Sequence, residues 1–149
     1  MYFSCTRRHA NIVSDQQNQL THFRIRVLSL LDTYVKKMIH SNAIQSAIVY
    51  KLLTPLLILV KDSLKKENLK DFSKSCTAIY NRIVRAAKPA ESGNDVEELH
   101  TILKSLLKIG RASNVRHIID LSRSGVAFII KVLTQIDKSD EKPVSKNSN

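Results

Sequence analysis

Phe23-Arg24-Ile25-Arg26-Val27-Leu28-Ser29-Leu30-Leu31-Asp32-Thr33-Tyr34-Val35-Lys36-Lys37 is the stretch on which the fold turns. Its apolar side chains fall on two helical stripes. Leu20, Phe23, Val27, Leu30, Leu31, Tyr34 and Met38 make one, and Ile25, Leu28, Val35 and Ile39 make the other. A helix lying on the surface of a core needs a single stripe, so two predict neighbours on more than one side. The next run, Ile44 to Leu64, has the same character. Ile44, Ala47, Ile48, Leu52, Leu56 and Leu59 share one face, while Leu53, Leu57, Val60 and Leu64 share the adjacent one. Ser41 or Asn42 suits its N-cap. Pro55 removes a helical hydrogen bond and its ring presses on the preceding turn. The spacing therefore predicts a bend between Leu53 and Leu56, or a fresh start with Thr54 as cap and Pro55 in the first turn.

Working outward, residues 1–14 show no apolar period and carry Arg7-Arg8-His9, which predicts a flexible basic arm. Ser14 followed by Gln17 resembles a capping box, which would start the first helix there. Beyond Lys65-Lys66-Glu67-Asn68, a third helix carries Leu69, Phe72, Cys76, Ile79, Tyr80, Ile83 and Ala87 on one stripe, and Lys88-Pro89 stops it. A loop over Pro89 to Asp95 follows. Asn94 and Glu97 suggest a capping box for a fourth helix with Val96, Leu99, Ile102, Leu103, Leu106 and Leu107 inward, closed by Gly110 as a left-handed cap. Ser113 or Asn114 would cap a fifth, bearing Val115, Ile118, Ile119, Val126, Ile129, Ile130 and Leu133, with a soft middle at Ser122-Arg123-Ser124-Gly125. From Asp137 the chain is polar and aperiodic, so 137–149 is expected to be disordered. The domain thus spans 15–136. Its class is all-α: stacked antiparallel helix hairpins forming a short HEAT- or armadillo-like α-solenoid, with a closed five-helix bundle as the alternative.

The whole chain has 149 residues, 43% of them hydrophobic and 25% charged, which suits one domain with a sizeable core. Lys and Arg number 24 against 13 Asp and Glu, a net charge of +11 concentrated in the first two thirds. Such a balance favours polyanions or acidic protein surfaces. Cys5 and Cys76 offer neither metal-ligand spacing nor a disulfide framework and suit a reducing compartment. The longest uncharged apolar run, Leu52 to Val60, is well short of the roughly 20 residues that span a bilayer, and Arg7, Arg8 and His9 interrupt any leader-like start. A soluble intracellular protein is expected, with no membrane or small-molecule partner.

The run Phe23-Arg24-Ile25-Arg26-Val27-Leu28, continued by Leu31-Asp32 and Val35-Lys36-Lys37 and then by Leu52-Leu53-Thr54-Pro55-Leu56-Leu57 and Lys61-Asp62-Ser63-Leu64, resembles the C-terminal region of the Myb-binding protein 1A and DNA polymerase V (polymerase phi) family. The resemblance covers chiefly Phe23 to Leu64, and beyond it agreement is in helix length and apolar spacing. It implies a helical-repeat module of a nuclear, nucleolar protein that supports ribosomal RNA gene transcription, ribosome biogenesis or transcription-factor regulation through contacts with other nuclear proteins. It also implies that the chain is a piece or a shortened relative of something longer.

Chemistry is harder to find. Two-metal nucleotidyl transfer needs converging carboxylates, and Asp32, Asp62, Asp71, Asp95 and Asp120 are scattered singly. His9, His22, His40, His100 and His117 have no i, i+3 or i, i+4 pair that would put two ligands on one helix face. No Gly-x-Ser-x-Gly turn or glycine-rich phosphate loop is present. A non-enzymatic chain without cofactor or metal is expected. The candidate contact residues are Lys61, Lys65, Lys66, Lys70, Lys74, Arg82, Arg85 and Lys88, a basic ridge able to meet DNA or RNA phosphates without reading sequence. The competing reading is a solvated polar face. Phe72 and Tyr80 lie on the core stripe, which leaves few aromatics for base stacking. Arg24 and Arg26 are expected to pair with acids of a neighbouring repeat.

Overall fold

A computed structural model describes residues 3–40, 47–86 and 95–141, all-helical and without a strand among them. Six helices follow in order: α1 (Phe3–His40), α2 (Ala47–Lys51), α3 (Leu53–Ser63), α4 (Lys70–Ala86), α5 (Val96–Ala112) and α6 (Arg116–Asp140). A 3-10 turn, Glu67–Leu69, leads into α4. α3 and α4 form one hairpin and α5 and α6 a second. The hairpins stack through α3 against α5 and α6 and through α4 against α6, while α1 lies along α4 at the open edge. The arrangement is a stack of antiparallel hairpins, a geometry shared by short solenoids and small open bundles.

The core is drawn from every helix. Leu53, Leu56, Leu57 and Val60 of α3 meet the one-sided stripe of α4 and the turn before it, where Leu69, Phe72, Cys76, Ile79, Tyr80 and Ile83 are all buried as their spacing predicts. Leu99, Ile102 and Leu106 of α5 and Ile118, Leu121, Phe128, Ile129 and Val132 of α6 complete it. On α6 the spacing misplaces several side chains. Val115 and Ile130 are exposed, and Leu121, Phe128 and Val132 take the interior. α2 is tied in by the Tyr50 ring, edge-on to Phe128 with centroids 5.5 Å apart.

Several boundaries differ from the expectation. α1 begins at Phe3, so residues 3–14 continue the helix in place of a separate arm, and Ser14 and Gln17 lie within it. No Gly or Pro interrupts this stretch, and the backbone ladder runs through it although Ala10 to Leu20 are all exposed. The break in the second run falls at Leu52, upstream of Pro55. The fourth residue before Pro55 is Lys51, whose carbonyl would meet both the ring clash and the missing N–H in a continuous helix. α2 ends at that residue, and Leu52, not Thr54, takes the N-cap position of α3. At the start of α5 the cap is Asp95, whose carboxylate accepts from the Glu97 N–H at 2.9 Å. α6 is one continuous helix through Ser122-Gly125, as expected. Val115 occupies its N-cap, and the Ser113 hydroxyl accepts from the Val115 N–H at 3.2 Å. It runs on to Asp140, so 137–140 are helical where a disordered tail was expected. The predicted cap at Ser41 or Asn42, Ile44, Ala87, Lys88-Pro89, the loop through Asn94 and the tail from 142 lie outside the described residues.

Gly110 is not a left-handed cap but an interior residue of α5. A Cβ there would stand 2.3 Å from the Ser122 Oγ and 2.8 Å from its Cβ. The absent side chain is what lets α5 and α6 approach. Ser122, buried, donates from Oγ to the Leu106 carbonyl across the same contact at 2.7 Å.

Candidate interaction surface

The two stripes of α1 meet different fates. Leu28 is 5% and Val35 0% exposed against α4. Most of the other stripe is uncovered, with Phe23 63% and Leu30 72% exposed and Leu20, Val27 and Tyr34 also exposed, whereas its Leu31 and Met38 pack partly against the core and Ile25 of the Leu28 line faces water. With about 100° per residue, this second line lies about a third of a turn from the buried one. Its positions, Leu20, Phe23, Val27, Leu30 and Tyr34, alternate by three and four residues, the spacing of a helix-packing seam. Arg24 and Arg26 flank it on opposite sides. Neither has an acidic partner among the described residues, so the expected pairing across a repeat interface is not formed.

At the lower end of this seam a groove of about 390 Å³ opens between α1, α3 and the start of α4. Phe23, Val27, Leu59, Leu69 and Phe72 provide apolar walls, with Ser63 beside them. Ser63 is itself satisfied, donating to backbone carbonyls of Leu59 and Val60 within its own helix. The charged lining is Arg24, Lys66 and Asp62.

The predicted basic ridge is divided by this geometry. Lys66 turns into the groove beside α1, whereas Lys70 and Lys74 line a depression on the other side of α4 with Thr77, Asn81 and His117. Lys70 is held by Glu67 at 2.9 Å. Lys74 and Arg85 point away from the core, Lys65 is exposed on the turn and Lys61 is half-buried on α3. Arg82 belongs to the interior architecture. Its Nε donates to the Asp32 carboxylate at 3.1 Å, tying α4 to α1, and the other Asp32 oxygen takes Lys36 at 2.7 Å. Lys88 lies outside the described residues. A second cationic row, Lys104, Lys108 and Arg111, runs along the exposed side of α5 around Leu107 without acidic partners among the described residues. The i, i+4, i+7 spacing was visible in the sequence and marks it as a helical face.

Chemistry remains sparse among the described residues. No group of three or more His, Cys, Asp or Glu could hold a metal ion, and no helix is long and apolar enough to cross a membrane. The two strongly perturbed groups are both core members. Burial pushes the Cys76 thiol up to about 11 and the Tyr80 phenol well above its ordinary value, the latter donating to the Leu121 carbonyl at 2.8 Å. Neither is poised as a nucleophile or base near neutral pH.

In comparisons with known proteins, the chain matches no family model, no curated protein and no solved structure. What stands out on the surface is an uncovered apolar seam on a 38-residue helix, flanked by arginines that have no acidic partner among the described residues.

Proposed function

We propose that this chain is a non-enzymatic helical scaffold that binds other proteins along the uncovered face of α1. The observation that carries the reading is the seam Leu20, Phe23, Val27, Leu30 and Tyr34, a contiguous apolar line exposed to water at packing-seam spacing. Such patches mark interaction sites on soluble domains. A library of displayed helical peptides, mixed in charge, is the direct test. Amphipathic sequences are expected to enrich on the native chain, and the enrichment is expected to vanish on a Phe23→Asp, Leu30→Asp variant. Enrichment that ignores those substitutions, or none at all, overturns the reading. The resemblance of Phe23 to Leu64 to the Myb-binding protein 1A and polymerase V family supports placing the scaffold in the nucleus or nucleolus, among factors for ribosomal RNA transcription, ribosome biogenesis or transcriptional regulation. A tagged chain excluded from nuclei would count against that placement.

A second reading, sequence-nonspecific DNA or RNA binding, is favoured by Lys65, Lys66, Lys74 and Arg85, cations without acidic partners among the described residues. Its signature is a logarithm of affinity that falls linearly with the logarithm of salt concentration, with a slope reduced when these residues become Gln. Binding unchanged in the Gln variant removes this reading.

A further inference from the structure

We propose that the groove between α1, α3 and the start of α4 receives an acidic amphipathic helix, with its apolar side on Phe23, Val27 and Phe72 and its carboxylates beside Arg24 and Lys66. The inference rests on the scaffold reading above and names the class of partner.

Shape comes first. The groove is continuous with the α1 seam, so an occupying helix finds apolar contacts from Phe23 onward to Tyr34, about 16 Å or roughly three helical turns. Anchors at i, i+3, i+4 and i+7 are how a helix fills such a trough. Charge then selects among occupants. Arg24 and Lys66 line the groove and Arg26 flanks the seam, none of them with an acidic partner among the described residues, whereas Asp62 is the single acidic group in the lining. A second copy is a poor match. Its own α1 carries Arg7, Arg8, Arg24, Arg26, Lys36 and Lys37 against Asp15 and Asp32, and the whole chain is +11. The segments of this sequence outside the described residues are poor matches too. Residues 41–46, 87–94 and 142–149 hold one large apolar side chain or none each, Ile44 and Val144, and Met1-Tyr2 is too short to form a helical turn. An acidic helix meets both requirements, since its apolar stripe covers the seam and its flanks neutralise the rim. Complementary charge at a rim also speeds encounter and excludes like-charged competitors.

The test uses the full chain and three fluorescent peptides of equal length. One has leucines at i, i+3, i+4 and i+7 among glutamates, one has the same leucines among lysines, and one is the glutamate peptide with its leucines scrambled. Anisotropy titrations in low salt are expected to show the first binding at least tenfold more tightly than either other. Phe23→Asp with Val27→Asp is expected to abolish that binding. Arg24→Glu with Lys66→Glu is expected to shift preference to the lysine peptide. All four residues are exposed, Phe23, Arg24 and Val27 on α1 and Lys66 on the turn before α4, so the variants should keep the native circular dichroism and melt no lower than the native chain. Equal binding of the scrambled peptide, or displacement by duplex DNA with no effect of the apolar substitutions, would show a simple polyanion surface and overturn the proposal. Preference of the native chain for the lysine peptide, lost on Phe23→Asp, overturns the acidic partner while the scaffold reading stands. Failure of all three peptides overturns the proposal, and the scaffold reading falls with it only if the displayed library also yields nothing.

Discussion

A Cβ built at Gly125 would stand 2.1 Å from the Tyr80 hydroxyl and 3.1 Å from a Leu106 methyl, so this glycine is where α4, α5 and α6 converge. Replacement of a helical Gly by Ala ordinarily gains about 1 kcal/mol from backbone entropy. Overpacking a filled core costs about 1 to 3 kcal/mol, and here the obstructing atom is held by its hydrogen bond to Leu121. Gly125→Ala should therefore destabilise by up to about 2 kcal/mol. Tyr80→Phe removes that atom, and chemical denaturation of the double variant should show a loss smaller than the sum of the two singles. Additive losses would show that the hydroxyl does not set the approach. Cys76 makes a second residue-scale prediction. Its native thiol ionises near 11 against an ordinary value of 9.0 because it is buried. Between those limits the unfolded chain has released a proton that the native chain keeps. Stability from this group is thus fully present below pH 9 and lost as pH rises toward 11. Tyr80 shifts in the same direction at still higher pH. Denaturation midpoints in the Cys5→Ser background should hold to pH 9 and then fall, and a thiol reagent should reach Cys76 only on unfolding. Rapid reaction in the native state at neutral pH would contradict its burial.

Neighbouring leucines on α1 separate the two stripes of that helix. Leu28 is buried against the core and Leu30 points to water. Leu28→Ala should cost about 2 to 4 kcal/mol through lost burial and the cavity left behind. Leu30→Ala should stay within about 0.5 kcal/mol, as exposed substitutions do. Equal losses, read from urea unfolding, would mean that the seam is covered within the chain. The same contrast shows what could be read beforehand. The buried face of α4 was legible through Ile83 because it has one apolar stripe, and one stripe can only face inward. α1 was not, because two stripes specify two packing surfaces without saying which neighbour is supplied by the chain itself. Gly110 was misread, and the close packing at Gly125 was missed, for a related reason: what a glycine avoids lies on another helix, far along the sequence. The break at Leu52 was nearly legible, since Pro55 acts on the carbonyl four residues earlier and that residue is Lys51.

For the molecule as a whole, charge was the most legible property and its arrangement the least. The count of 24 basic to 13 acidic residues was plain from the sequence. That Arg82 is consumed by Asp32, and that Lys66 and Lys70 face different depressions, required the helices to be placed. Two opposing salt effects follow. Salt screens the ion pairs, which weakens the fold, and it screens the repulsion of a +11 chain, which strengthens it. Every described ion pair except the partly buried Arg82–Asp32 has at least one partner well open to water, the setting in which such pairs contribute about 0 to 1 kcal/mol. Repulsion is summed over many cations without an acidic partner among the described residues, Arg24, Arg26, Lys65, Lys66, Lys74, Arg85, Lys104, Lys108 and Arg111 among them. Relief of repulsion should therefore win. The melting temperature is expected to rise by roughly 2 to 4 °C, about 1 kcal/mol for a chain of this size, between 10 and about 300 mM sodium chloride. Sodium chloride is the suitable salt because sulfate would strengthen apolar burial on its own account. A falling melting temperature would show that ties such as Asp32 to Arg82 outweigh the repulsion. Lys65→Gln with Lys66→Gln and Lys74→Gln discriminates further: it should raise the low-salt melting temperature and flatten the response, because it removes repelling cations while leaving every described ion pair in place.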